Sequence, residues 1–270
     1  MPWATEGEVA VNGAALHWYR TGSGPTVVLA HGVTDSGDCW ATLVEALADA
    51  FDVVAYDARF HGLSTEGEEP EPFVGADLLG LVDGLGLERP AAVGHSMGAM
   101  TIAAAAAREP EALRAVVLED PPWHATETGR QAMASALADG LPHLTDGTYD
   151  QILLRGKASN DWEEADLVGW ARAKTQFRFD DWQRSGGIAN SDWRADLKAM
   201  RCPALLICGE PDRFAIVAPE VAREAASLGA DLRVLTLPAG HSIRREALEE
   251  YLSAVRRFLL ETAGSPTSQE

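Results

Sequence analysis

The sequence predicts an α/β protein with a mostly parallel, doubly wound β-sheet and an inserted helical segment. Short apolar runs, rich in β-branched residues, alternate with segments of helical pattern, which is typical of such a sheet. The alternation stops between about residues 122 and 197, where the pattern becomes helical. The length of 270 residues is sufficient for one large domain that carries such an insertion.

The predicted strands are short and are bounded by Gly, Pro or Asp. They cover residues 25–30, 52–56, 91–93, 115–118, 204–208 and 231–235. The predicted helices between them cover residues 40–50, 73–85, 97–109, 219–228 and 245–262. Residues 9–20, with Asn12-Gly13 as a turn signal, predict an antiparallel hairpin at the edge of the sheet.

The helical segment divides the predicted core. We expect residues 1–121 and 198–264 to form the core, residues 122–197 to form a helical cap, and residues 265–270 to be a flexible polar tail. Five of the eight tryptophans fall between residues 122 and 197, so the cap has the aromatic content for its own small core or for an apolar pocket.

Composition excludes several function classes. The 22 basic and 41 acidic residues give a net charge of −19, which disfavours nucleic acid and anionic membranes as partners. The N-terminus lacks a basic and apolar leader, and no apolar run approaches 18 residues, so we expect a cytoplasmic protein. The three cysteines have no disulfide or zinc spacing, and no nucleotide-binding or metal motif appears; neither a cofactor nor a metal is expected.

The sharpest motif is Gly94-His95-Ser96-Met97-Gly98, which follows a predicted strand and precedes a predicted helix. A serine on such a tight turn projects above the carboxyl edge of the sheet, and glycines two residues away avoid steric collisions. The backbone N–H of Met97 would lie at a helix N-terminus and stabilise an oxyanion. Ser96 is therefore the predicted nucleophile.

With this motif and those that follow, the chain resembles the α/β-hydrolase-fold proteins. His31-Gly32 is similar to the family's oxyanion loop, which implies the N–H of Val33 as the second oxyanion donor. Residues 57–64 resemble the stretch D-x-R-G-H-G-x-S, with Phe60 in place of a glycine. Gly209-Glu210-Pro211-Asp212 and Gly240-His241 resemble the family's motifs after the last two strands. The resemblance is weakest across the insertion.

A serine hydroxyl needs a base within hydrogen-bond reach. Of the seven histidines, His241 alone follows the last predicted strand on a Gly-flanked loop, at the edge where open α/β sheets bind ligands. The preferred acid is Asp212, which follows the strand 204–208 and fits the chain order Ser, Asp, His of this fold. Asp120, 24 residues after Ser96, is the rival, since some α/β hydrolases carry their acid there.

These residues predict a cofactor-independent serine hydrolase that cleaves a small or medium carboxylic ester or lactone through an acyl-enzyme. A carbon–carbon bond hydrolase or lyase of the same fold, and a slow-turnover ligand-binding protein, remain alternatives. The expected partner is a small-molecule substrate, and the chain is expected to be a monomer or homodimer.

The substrate pocket is expected near His31, Gly32, His95 and Trp123. Trp123 is the best candidate within the insertion, because it leaves the sheet edge just after Asp120. Arg172, Lys174 and Arg178 have two interpretations. They could hold a substrate carboxylate, but a solvated helix face is the favoured interpretation.

Overall fold

The computed structural model describes residues 2–67, 74–187 and 191–264. Within these residues, eight strands form one sheet. They are β1 (Thr5–Val11), β2 (Ala14–Gly22), β3 (Thr26–Ala30), β4 (Asp52–Tyr56), β5 (Ala91–His95), β6 (Val116–Glu119), β7 (Ala204–Cys208) and β8 (Leu232–Thr236).

The strand order is β1-β2-β4-β3-β5-β6-β7-β8. Strand β2 pairs antiparallel with β1 and β4, and every pairing from β4 to β8 is parallel. The predicted edge hairpin is present, and its turn residues Asn12 and Gly13 both have positive φ, 46° and 78°, as a tight two-residue hairpin requires. The parallel strands consequently bring their carboxyl ends to one edge, where the loops carrying the predicted site begin.

The helices are α1 (Ala41–Leu47), α2 (Ala76–Gly84), α3 (Met97–Arg108), α4 (Glu127–Thr145), α5 (Tyr149–Ser159), α6 (Glu164–Gln176), α7 (Phe179–Arg184), α8 (Trp193–Ala199), α9 (Pro219–Leu228), α10 (Ile243–Glu246) and α11 (Leu248–Ala263). Short 3₁₀ turns cover Gly37–Trp40 and Pro211–Arg213.

The sheet is covered on both faces. Strands β3 to β7 are buried throughout except for the partly exposed Thr26, and alternate residues of each strand contribute to two separate apolar clusters. Continuous apolar runs, rather than alternating ones, are what such double burial requires. The predicted doubly wound sheet is confirmed.

Most predicted elements lie within a few residues of their observed bounds. The expected last helix is divided into α10 and α11, since Ala247 leaves the helical conformation with φ −126° and ψ 55°. Phe73, at the start of another predicted helix, and the predicted flexible tail 265–270 lie outside the described residues.

Helices α4 to α8 all lie between β6 and β7, where the sequence predicts the cap. A satellite apolar cluster, Leu141, Phe177 and Trp182, packs with Val33 and Phe60 of the core. The division into core and cap stays a prediction. No helix in the part of the chain that the structure describes combines the length and apolarity of a membrane span.

Candidate active site

Ser96 occupies the turn between β5 and α3 in a strained conformation. Its φ is 51° and its ψ is −115°, and its N–H donates to the carbonyl of Glu119 at the end of β6 (2.8 Å). A positive φ is uncommon for a residue with a Cβ and persists only where the surroundings enforce it. The link to β6 and the onset of α3 fix Ser96 at the carboxyl edge of the sheet.

The flanking glycines are required by close backbone approach. A Cβ on Gly98 would lie 2.0 Å from the carbonyl oxygen of Ala30, and one on Gly94 would lie 2.6 Å from the backbone of Gly98. No side chain fits at these distances, so the spacing of glycines around Ser96 follows from the packing of α3 against β3 and β5.

His241 is bonded to Asp120. The Nδ1–H of His241 donates to Oδ2 of Asp120 at 2.6 Å; the carboxylate can only accept, so the Nδ1 atom carries the proton. Asp120 is fully buried, and its oxygens also accept from the backbone N–H groups of Ile216 (2.8 Å) and Val217 (3.0 Å). With Nδ1 protonated, the Nε2 atom of the neutral imidazole is left as a proton acceptor.

The structure departs here from the preferred sequence prediction, which assigned the acid to Asp212. Asp212 lies in the exposed 3₁₀ turn Pro211–Arg213, whereas the rival Asp120 contacts His241. Asp120 directly follows β6 with a φ of 41°, and this left-handed conformation turns its side chain under the histidine loop. The loop after β7 contributes backbone donors to Asp120 rather than a carboxylate.

His95 supports the histidine loop. Its Nε2–H donates to the carbonyl of His241 (2.9 Å), and the two rings lie 4.6 Å apart. Burial lowers the pKa of His95 well below its ordinary value, so the ring is neutral. A Cβ on Gly32 would lie 2.7 Å from Nδ1 of His95, which explains the glycine after His31.

One expected oxyanion donor, Met97, follows Ser96 in the chain, and the other, Val33, lies on the loop after β3. Met97 is the first residue of α3, so its N–H has no acceptor within the helix. Val33 belongs to the loop after β3, whose Gly32 carbonyl accepts from the N–H of Asp35 (3.1 Å). Val33 and Ser96 line the same cavity.

That cavity, of about 300 Å³, holds Ser96, His95 and His241 together. Its walls come from the loop after β3, helices α4, α6 and α10, and the loops after β7 and β8. They include Leu137, Trp170, Lys174, Phe214 and Arg245. A larger cavity of about 560 Å³ adjoins it and shares Pro122, Met133 and Leu137 with it. The lining of the larger cavity is mixed, with aromatic and aliphatic side chains beside charged ones such as Glu127 and Arg130.

Of the four predicted pocket residues, His95 lines the cavity at Ser96. Trp123 is almost fully buried, stacks on Trp193 at 5.3 Å, and lines the larger neighbouring cavity instead. His31 is committed to the backbone: its Nε2 accepts from the N–H of Ala58 (2.9 Å) and its Nδ1 donates to the Gly32 carbonyl (2.8 Å). Neither His31 nor Gly32 lines the cavity at Ser96, and both belong to the loop after β3 that forms part of its wall.

Phe60, where the family pattern has glycine, adopts a φ of 69°. The carbonyl of Phe60 accepts from the N–H of Arg178 (2.9 Å), and its side chain packs on the satellite apolar cluster. Burial in this cluster offsets the steric cost that a glycine would avoid.

A buried ion cluster lies beside the site, defined by Asp35, Glu119, Lys174, Arg244 and Arg245. Asp35 accepts from Lys174 (2.7 Å), Arg244 (2.9 Å) and Arg245 (2.9 Å). Glu119 accepts from the N–H of Arg244 (2.9 Å) and pairs with its guanidinium (3.4 Å).

Burial alone would raise the pKa of Asp35, but the three cations hold that pKa well below its ordinary value. Burial raises the pKa of Glu119 and lowers that of Lys174. The ion cluster joins the loop after β3, helix α6 and helix α10.

The favoured sequence interpretation of a solvated helix face is wrong for Lys174, whose side chain is 2% exposed. Arg178 is partly buried and donates to the carbonyl of Ser64, while Arg172 pairs with Asp38 at 2.7 Å. Sequence reasoning also missed Asp35 and Arg245. A signal existed in the doublet Arg244-Arg245, which follows Gly240-His241-Ser242 after a single residue, in an acidic chain.

In the residues that the structure describes, no group of three His, Cys, Asp or Glu side chains is placed to hold a metal ion. The groups gathered at Ser96 are those of nucleophilic catalysis: a hydroxyl on a strained turn, a histidine oriented by a buried carboxylate, and backbone donors.

Comparison with known proteins agrees with this geometry. The sequence profile of the α/β-hydrolase fold matches residues 25–142. The chain is 30% identical to an N-formylmaleamate deformylase of Pseudomonas putida, over 94% of this chain and 96% of the relative. It is 28% identical to a 2-(acetamidomethylene)succinate hydrolase of Mesorhizobium japonicum, over 93% and 94% of the two chains.

Solved structures give the same answer. An enol-lactonase of Burkholderia xenovorans superposes with a TM-score of 0.73 and 26% identity, covering 94% of this chain and all of that one. The extent of the sequence match, the order of the strands and the strained turn at Ser96 all indicate the same family. The chain therefore belongs to the α/β-hydrolase family and is a hydrolase.

Proposed function

We propose that this protein is a serine hydrolase in which Ser96 is the nucleophile, His241 the general base and Asp120 the acid that orients it. The observation that carries the proposal is the 2.6 Å bond from His241 Nδ1 to Asp120 Oδ2, beside the strained turn of Ser96. This bond directs the basic Nε2 atom away from Asp120, in a cavity that Ser96 also lines.

In the first half-reaction, Oγ of Ser96 attacks the carbonyl carbon of the substrate while His241 accepts the hydroxyl proton. The negative charge of Asp120 stabilises the imidazolium that forms. The N–H groups of Val33 and Met97 bind the oxyanion, and each such donor lowers the barrier by about 3–4 kcal/mol. The intermediate collapses, and the leaving group takes the proton from His241.

In the second half-reaction, His241 removes a proton from water, and the hydroxide attacks the acyl-enzyme. The tetrahedral intermediate expels Ser96 Oγ, which recovers its proton from His241. This sequence requires no cofactor. The acid is released and the starting state is restored.

The substrate class that fits best is a small carboxylic ester or lactone. A cavity of about 300 Å³ lies at the small end of ligand pockets and suits a short acyl group, while the larger adjoining cavity can receive a larger leaving group. The likeness to an enol-lactonase supports cleavage at oxygen. The deformylase and the 2-(acetamidomethylene)succinate hydrolase are both named for substrates with an acyl group on nitrogen. Compounds with an N-acyl group should therefore be tested as substrates as well.

The test is intact-mass spectrometry after treatment with a fluorophosphonate, on the wild type and on Ser96→Ala. One adduct on the wild type and none on the variant would establish an activated serine. A panel of esters, lactones, N-acyl compounds and β-diketones would follow. Absence of an adduct on the folded wild type would refute the proposal, and preferred cleavage of β-diketones would redirect it to carbon–carbon chemistry.

A further inference from the structure

The ion cluster carries more positive than negative charge. Two carboxylates, Asp35 and Glu119, face three cations. Glu119 and one oxygen of Asp35 engage Arg244, so Asp35 is the only carboxylate of the cluster that Lys174 and Arg245 share. The cluster therefore has one uncompensated cation.

This imbalance is buried. The side chains of Lys174 and Arg245 are each 2% exposed, so water does little to screen their charge. The Nε–H of Arg245 has no hydrogen-bond partner within the described residues. Their aromatic neighbours, Trp170 at 5.0 Å from Lys174 and Trp162 at 4.7 Å from Arg245, offer ring faces but no formal charge.

The uncompensated charge lies on the wall of the cavity that holds Ser96. Lys174 and Arg245 both line it, as do Asp35 and His241. The other nearby anion, Asp120, sits behind His241 with its oxygens occupied by two backbone N–H groups and the imidazole. An anion entering the cavity would therefore meet two cations that share a single carboxylate.

We propose that Arg245 and Lys174 select a substrate that carries a carboxylate in its acyl part, so that the enzyme cleaves monoesters or monoamides of short dicarboxylic acids, or lactones that bear a free carboxylate. The proposal rests on the serine-hydrolase function proposed above. Hydrogen bonds from buried cations to a carboxylate are strong and directional. The net charge of −19 repels anions at long range, so the selection is local to the cavity.

The test compares two esters of similar size, monoethyl succinate and ethyl valerate, by the ethanol released. We expect the wild type to prefer the anionic ester, and Arg245→Gln to lower the ratio of kcat/KM values, anionic over neutral, by about tenfold or more. Lys174→Met should act in the same direction. The ratio is insensitive to the fraction of folded enzyme, because both esters report on the same preparation.

Arg172→Gln is the matched control. Arg172 lies on α6 with Lys174, is about 39% exposed, pairs with Asp38, and lines a different cavity. We expect it to leave the ratio within about twofold of the wild type. Arg245→Lys, which keeps the charge, should retain much of the preference that Arg245→Gln loses.

A second measurement does not depend on finding a good ester. Succinate should slow fluorophosphonate labelling of Ser96 in the wild type, succinamide should not, and Arg245→Gln should abolish the protection. Equal cleavage of both esters, or equal effects of succinate and succinamide, would overturn the proposal while labelling of Ser96 still supports the hydrolase function. Failure of labelling would remove both.

Discussion

Asp120→Asn is the substitution that best tests the site. The carboxylate of Asp120 accepts three hydrogen bonds, from the N–H groups of Ile216 and Val217 and from Nδ1 of His241. An asparagine has one accepting oxygen and one donating NH₂. Oδ2 accepts from both Ile216 and His241, whereas Oδ1 accepts from Val217. When the amide oxygen takes the place of Oδ1, the NH₂ takes the place of Oδ2, faces Nδ1 and forces the proton of the imidazole to Nε2.

A histidine protonated at Nε2 cannot accept the proton of Ser96. The wrong tautomer, together with the loss of the charge that stabilises the imidazolium, predicts a fall in kcat of about 10³–10⁴-fold. The amide has nearly the same shape as the carboxylate, so we expect the fold to survive. Asp212→Asn, in an exposed turn, should stay within about threefold of the wild type.

The assay is steady-state hydrolysis of a 4-nitrophenyl ester, with circular dichroism spectra of each variant as a folding control. Fluorophosphonate labelling rates give the same comparison when turnover is slow. A large loss in Asp212→Asn beside an active Asp120→Asn would refute the reasoning and return the acid to the loop after β7.

Three further outcomes are expected. Ser96→Ala should lower kcat at least about 10³-fold with little change in the melting temperature, and comparable activity would remove the nucleophile. Gly98→Ala should cost about 2–4 kcal/mol of unfolding free energy because its Cβ would meet a β3 carbonyl. Gly140→Ala, in open space on α4, should instead stabilise by about 0.5–1 kcal/mol; urea unfolding of both checks the pair. Burial holds the pKa values of His61 and His95 well below 6.5, so the native rings stay neutral while the unfolded chain gains protons in acid. Stability should therefore be full above about pH 7 and fall toward about pH 5, and flat urea-unfolding energies over this interval would contradict the assignment.

The sheet and the turn at Ser96 were predictable because their signals are local. Continuous apolar runs identify strands buried on both faces, and Gly94 and Gly98 report backbone contacts that tolerate no Cβ. His241 could be placed at the carboxyl edge of the sheet because it lies on the loop directly after the last strand. These features depend on residues close together in the chain.

The acid and the ion cluster depend on contacts between distant segments. Asp120 and His241 are 121 residues apart, and the left-handed φ that places Asp120 has no clear signal in a Leu-Glu-Asp-Pro-Pro run. Asp35 and Lys174 are 139 residues apart, and helix α6 has no strong apolar face to indicate that Lys174 points inward. Such pairings become visible only when the insertion is packed on the sheet.

The way Asp120 is held bears on engineering. The loop after β7 supports it with the backbone N–H groups of Ile216 and Val217. The support of Asp120 therefore does not depend on which side chains occupy residues 210–215. Phe214, 89% exposed, lines the cavity from this loop. A library restricted to these positions would thus reshape substrate entry with the catalytic groups untouched, whereas a proline at 216 or 217 would delete a donor that no neighbouring side chain replaces.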